Sequence, residues 1–188
     1  MNIIKTNLQD AYIIELQVFG DSRGWFTESF SAQKLMAAGI AVNEFVQDNH
    51  SYSAQPGIIR GLHCQIQPYS QTKLVRCTRG EICDVIVDIR KGSPTYKKWI
   101  KVILSAENKR QLWIPKGFLH GFITLTSDVE VQYKVDAYYD KSSDRSIRYD
   151  DPEFNIDWGI SNPILSEKDR NAPLFADSDA KFEYKKLN

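Results

Sequence analysis

The run Cys83-Asp84-Val85-Ile86-Val87-Asp88-Ile89 decides the fold class. Residues 83, 85, 87 and 89 point one way and Asp84 and Asp88 the other, which is the alternation of a β-strand and not the spacing of a helix. Just upstream, Lys73-Leu74-Val75-Arg76-Cys77 has the same character. Arg79-Gly80 between the two runs predicts a tight hairpin, because glycine takes positive φ without steric cost. Working outward, strands are expected over Trp99 to Leu104, Gln111 to Ile114, Gly121 to Thr126, Val129 to Val135 and Ser146 to Tyr149. Only Ser31 to Ala38 predicts a clear helix, with Ser31 as N-cap and Gly39 as stop. Many short strands, one or two short helices and no repeat favour an all-β sandwich or jelly roll over a parallel α/β fold. From about Asp150 the text turns loop-like, with Pro152, Gly159, Pro163 and Pro173. This segment is expected to wrap the sandwich, so residues 1–188 are read as a single domain.

Composition narrows the function classes. Lys plus Arg and Asp plus Glu both total 24, so there is no net positive charge to hold a phosphate backbone, and a nucleic-acid partner is not expected. The longest apolar-looking run, Leu35 to Val42, contains Gly39 and is far too short to cross a bilayer. The opening Met1-Asn2-Ile3-Ile4-Lys5 has no export-signal pattern, and Cys64, Cys77 and Cys83 are too sparse for a disulfide framework. A cytoplasmic protein with reduced thiols and no membrane partner is the expectation.

The three histidines can be weighed singly. His50 sits in the polar stretch Gln47-Asp48-Asn49-His50-Ser51, read as a loop, and is given no catalytic role. In Ile59-Arg60-Gly61-Leu62-His63-Cys64-Gln65, Arg60 and His63 bracket a glycine among strand-forming residues. His120 follows Pro115-Lys116-Gly117-Phe118-Leu119, a turn that delivers it onto a strand. His63 and His120 without a His-x-His pair are a thin basis for a metal, so none is expected. Arg60, His63, Lys73, Tyr133, Lys168, Asp169 and Arg170 would form an acid–base pocket if they pointed inward together; each taken alone reads as an ordinary surface or strand residue.

Several segments in order settle the matter. Asp21-Ser22-Arg23-Gly24-Trp25-Phe26-Thr27-Glu28, Gln47-Asp48-Asn49, Arg60-Gly61-Leu62-His63, Gln71-Thr72-Lys73-Leu74-Val75, Val85 to Thr95, Ile114 to Phe122, Tyr133-Lys134, Asp157-Trp158 and Leu165 to Arg170 together resemble the dTDP-4-dehydrorhamnose 3,5-epimerases nearly end to end. The resemblance implies a cupin-type jelly roll without metal or cofactor, and a homodimer with exchanged N-terminal strands. It also implies a dTDP-4-keto-6-deoxy sugar inverted at C3 and C5. By the same resemblance His63 is the base, Asp169 its orienting carboxylate, Tyr133 the proton donor on the opposite face of the sugar and Lys73 the enolate stabiliser. His120 is implied as a neighbour in the sugar pocket, and Arg23 and Arg60 as diphosphate or sugar contacts. Glu28, Gln47, Asn49, Asp144 and Lys168 match further nucleotide or sugar contacts. Arg170 is grouped with the substrate-binding residues, and Tyr139 with the aromatic that stacks on thymine, adjacent Tyr138 being its alternative. Arg23 and Glu28 are available to the partner's site, since the N-terminal region crosses over.

Cys64 departs from the family pattern, where an aromatic follows the histidine; a smaller side chain beside the base is expected to alter packing or sugar preference there. Gly159 stands where proline is common. The competing readings are a related epimerase that inverts one carbon or uses another nucleotide, a metal-dependent cupin oxygenase, and a sugar-binding cupin without catalysis.

Overall fold

The computed structural model describes residues 1–185. In chain order the elements are Asn2–Lys5 (β1), Tyr12–Glu15 (β2), Val18–Asp21 (β3), Gly24–Thr27 (β4), Ala32–Ala37 (α1), Gln47–Ser53 (β5), Ile59–Gln65 (β6), Lys73–Arg79 (β7) and Glu81–Asp88 (β8). They continue with Arg90–Lys91 (β9), Trp99–Ser105 (β10), Gln111–Ile114 (β11), Phe118–Thr124 (β12), Val129–Val135 (β13), Asp144–Ser146 (β14), Glu167–Arg170 (α2) and Phe182–Glu183 (β15). A six-stranded sheet in the order β1-β2-β11-β7-β13-β5 faces a five-stranded sheet in the order β10-β8-β12-β6-β14, and every pairing within them is antiparallel. The fold is the expected cupin-type jelly roll.

Both faces of each main sheet carry apolar cover. Between the sheets lie Val75, Ile82, Ile86, Leu104, Leu112, Phe118, Phe122 and Val131. On the outer face of the five-stranded sheet, Val85, Val87, Leu119 and Ile123 pack under Phe154, Ile156, Trp158 and Ala180 of the C-terminal segment. That segment therefore wraps the sandwich, as its proline-rich text predicts. Both sides of β8 are consequently dry, and Asp84 and Asp88 are each fully buried. On the outer face of the six-stranded sheet, α1 buries Leu35 beside Ile14, Leu74 and Trp113. Ser31 caps this helix, its Oγ accepting from the Lys34 N–H at 3.3 Å, and Gly39 leaves it at φ +83°.

Four local expectations are corrected. Gly80 does not close a hairpin: β7 and β8 belong to different sheets, and the glycine, at φ +71°, turns a corner between them. Residues 47–51 are not a loop but part of β5, whose even-numbered residues are exposed while the odd ones face inward. Its polarity misleads because its inner face lines a polar cavity. β12 begins at Phe118, three residues before the expected Gly121, so His120 lies within the strand. β14 is Asp144–Ser146, earlier than the expected Ser146 to Tyr149, although Ile147 still exchanges both backbone hydrogen bonds with Leu62.

The β3–β4 hairpin stands apart from both sheets and leaves Phe19, Trp25 and Phe26 exposed, Phe26 at 68%. No described helix is long and apolar enough to cross a membrane.

Candidate active site

A single irregularity aims Arg60 and His63 of β6. His120 pairs with His63 but Phe122 pairs with Arg60, so β6 carries one residue more than β12 between these points, a β-bulge at Gly61. Strict alternation would send Arg60 and His63 to opposite faces; the bulge turns both inward, while Ile59, Leu62 and Cys64 join the outer core. Only glycine fits there: at φ +136°, a Cβ on Gly61 would lie 2.5 Å from the Gly121 Cα.

The resulting cavity, of about 380 Å3, is lined from the five-stranded sheet by Arg60, His63, His120 and Phe122. From the facing sheet come Lys73, Tyr133 and Ser51, and from the tail Leu165, Ser166, Lys168 and Asp169. The tail is stapled to the mouth by hydrogen bonds from Ile59 N–H to the Ile164 carbonyl and from Ile164 N–H to the Gly57 carbonyl. α2 follows at once, its N-cap Ser166 accepting from the Asp169 N–H at 3.1 Å.

Asp169, with its side chain 4% exposed, approaches His63 Nε2 to 2.5 Å through Oδ1. Burial pushes its pKa up, but the His63 bond and charge, the Ser166 bond and the Gly61 N–H outweigh this and hold it below the usual carboxylate value. Burial raises the Tyr133 pKa and lowers that of Lys73, so the phenol keeps its proton while the ammonium is made readier to release one. Lys73 Nζ lies 5.9 Å from the centre of the Tyr133 ring. His120 Nε2 lies 2.6 Å from Asp84 Oδ1, and burial, only partly offset by Asp84, lowers the histidine's pKa.

Gln47 donates to Asn49 at 2.8 Å and accepts from the Tyr139 N–H at 3.0 Å. The Tyr139 hydroxyl reaches Asp144 at 3.4 Å, and Asp144 also pairs with Lys168. Tyr138 and Tyr139 are both exposed. Arg60 is braced by Ser53 Oγ at 3.1 Å and the Tyr52 carbonyl at 2.9 Å.

Eight expected contacts do not line this cavity: Gln47, Asn49, Tyr138, Tyr139 and Asp144, and with them Arg23, Glu28 and Arg170. Arg23 sits at the turn of the exposed hairpin, bonded to Asp21, and Glu28 pairs with Lys34 at 2.8 Å. Arg170 lies on the exposed side of α2. Cys64 is likewise not beside the base within the cavity: it faces the outer core, where burial pushes its thiol up to about 12. His50 lies on the outer side of β5, 3.0 Å from Glu130. Asp84 was not singled out from sequence; the signal was an acid inside a run of valine and isoleucine. Among the described residues no three His, Cys, Asp or Glu side chains converge as a metal-binding group.

Fold and cavity define a class, the jelly-roll proteins with an acid–base chamber between their sheets. The family model for dTDP-4-dehydrorhamnose 3,5-epimerase matches residues 5–177. The chain is 54% identical to the dTDP-4-dehydrorhamnose 3,5-epimerase of Shigella flexneri, over 95% of its own length and 98% of the relative's. It superposes with a TM-score of 0.90 on the Bacillus anthracis enzyme with TDP and pyrophosphate bound, at 52% identity over 93% of this chain and 99% of that one. With the Legionella pneumophila epimerase in complex with dTDP-4-keto-L-rhamnose the TM-score is 0.92, at 46% identity over 98% and 99% of the two chains. The chain belongs to the dTDP-4-dehydrorhamnose 3,5-epimerase family.

Proposed function

We propose that this chain epimerises dTDP-4-dehydro-6-deoxy-D-glucose at C3 and C5, giving dTDP-4-dehydro-L-rhamnose, with His63 as base, Asp169 as its orienting partner, Tyr133 as acid and Lys73 as oxyanion stabiliser. One observation carries the reading: a carboxylate-bound histidine and a proton-holding tyrosine belong to opposite sheets across one cavity. A C–H beside the C4 ketone is acidic because its carbanion delocalises onto the ketone oxygen. Inversion therefore needs a base on one face of the ring and an acid on the other. With Nε2 committed to Asp169, Nδ1 of His63 takes the proton, and Asp169 stabilises the imidazolium that forms. Lys73 meets the enolate oxygen as charge develops there, and Tyr133 returns a proton from across the ring. The chemistry moves protons only and is redox-neutral, so it needs no nicotinamide.

Arg60, His120, Asp144 and Lys168 would hold sugar and diphosphate, with Gln47, Asn49 and Tyr139, or Tyr138, around the nucleoside. Arg23 and Glu28 would serve the other subunit of a homodimer through an exchanged N-terminal arm. The exposed Phe19, Trp25 and Phe26 of the hairpin support that arm, since apolar side chains of this size gain from being covered. A cytoplasmic setting accords with three unpaired, buried cysteines. The test is incubation with the 4-keto-6-deoxy substrate in heavy water followed by NMR of the product. Deuterium at both C3 and C5 with inverted configuration is expected; deuterium at one carbon would reduce the activity to single epimerisation, and none would reject it.

A further inference from the structure

Asp84 is a buried carboxyl group to which the proposed mechanism gives no task. It is fully buried on β8, on the inward face shared with Ile82 and Ile86, where apolar packing alone would call for another isoleucine or valine. Oδ1 meets His120 Nε2 at 2.6 Å, while Oδ2 is buried with no hydrogen-bond partner among the described residues. Burying a carboxylate is costly unless a charge or proton nearby makes use of it. His120 pairs directly with His63 across β12 and β6, and both line the cavity with Lys73, which enters from the opposite sheet.

We propose that Asp84 is a positioning residue, an inference that rests on the epimerase reading above: its carboxylate fixes His120 in the form protonated at Nε2, leaving Nδ1 as an acceptor, and it is the interior anion that balances the Lys73 ammonium. A neutral imidazole donates from one nitrogen and accepts at the other, and an ionised carboxylate only accepts, so the proton between them belongs to Nε2. No other hydrogen bond to the His120 side chain is made by the described residues. His120 then cannot donate to an enolate oxygen. It accepts, from a sugar hydroxyl or from the ammonium, and the oxyanion falls to Lys73.

Arg60, His63, His120 and Lys168 share the cavity with Lys73, and Asp84 reaches it through the 2.6 Å bond to His120, so Asp84 is the neighbouring carboxylate that no lysine or arginine engages. Asp144, on β14, is engaged by Lys168 of α2, itself a cation, and Asp169 is engaged by His63. Tyr133 on β13 and Cys64 on β6 both have raised pKa values and are neutral at neutral pH. Burial pushes the Lys73 pKa down, and Asp84 is among the groups that oppose it.

The experiment pairs 15N NMR of histidine-labelled enzyme with kinetics of Asp84→Asn. The chain has three histidines, so His50→Gln and His120→Gln assign the rings. In the wild-type protein the His120 ring is expected to show a protonated Nε2 and an acceptor-type Nδ1 at neutral pH. In Asp84→Asn, kcat is expected to fall about 10- to 100-fold with KM within about threefold. The alkaline limb of its kcat profile should move down by roughly one pH unit, because the ammonium loses its compensating charge. The deficit should then narrow as the pH is lowered. A His120 ring protonated at Nδ1, alone or with Nε2, would overturn the proposal, as would an alkaline limb that stays in place. The NMR result needs no turnover and decides the matter should the variant not fold. Wild-type protein that exchanges no substrate hydrogen would instead sink the epimerase reading while leaving the ring assignment standing.

Discussion

Replacing Asp169 by asparagine keeps the shape of the side chain and removes its charge. The Ser166 cap bonds to the backbone N–H of residue 169 and survives, and an amide oxygen still accepts from Gly61 N–H, so the fold should hold. The transition state loses a carboxylate whose oxygen lies 2.5 Å from His63 Nε2. With charge centres roughly 4 Å apart and an effective dielectric of about 20, the lost attraction to the developing imidazolium is about 4 kcal/mol. That corresponds to a loss of about 10³ in kcat. Because the free imidazole gains little from that charge, KM should stay within about threefold. Steady-state rates by NMR of the product, beside thermal melts and circular dichroism of both proteins, make the comparison. If folded Asp169→Asn retained kcat within about threefold of wild type, the orienting role of the carboxylate would be refuted.

Tyr133→Phe should lower kcat about 10²- to 10⁴-fold with a small change in KM, while His63-driven release of substrate hydrogen to solvent persists in a wash-out assay. Asp88, fully buried and bonded to Arg90, Ser93 and Thr95, has its pKa lowered despite burial. A depressed carboxyl stabilises fully above its unfolded value of about 4, and the contribution is lost as the pH falls through the folded value. Asp88→Asn should therefore cost about 3 kcal/mol at neutral pH, with the gap to wild type in denaturant melts closing in acid. Gly61→Ala, forced against the Gly121 backbone, should cost about 3 kcal/mol or more and lower Tm measurably. Phe26→Glu on the exposed hairpin should shift the proposed homodimer towards monomer in sedimentation, with activity falling as the protein is diluted.

Legibility in the sequence followed how local each cause was. β8 and β13 announce themselves because apolar residues alternate within a few positions, β10 and β11 as short apolar runs, and α1 because Ser31 and Gly39 bound it. Gly80 gives the same local signal for a hairpin and for a corner; which sheet the chain enters next depends on distant partners. β5 looks like a loop because its inward side faces a polar chamber and not the apolar core. The odd spacing of Arg60 and His63 becomes intelligible only with the bulge, which depends on Gly121 of another strand. His63, Lys73, Tyr133 and Asp169 were assembled through motif resemblance; spacing alone would not have joined them. Asp84 escaped because one acid in a strand ordinarily signals a solvent face, and here both faces are covered.

The His63–Asp169 pair spans 106 residues of sequence, and its second member arrives on the segment that wraps the finished sandwich. A chain still emerging from the ribosome could close both sheets and yet hold an imidazole with nothing to steer it. In the proposed mechanism turnover therefore requires this segment to dock, and a clip between Trp158 and Ser166 would lower turnover well before it melted the sandwich.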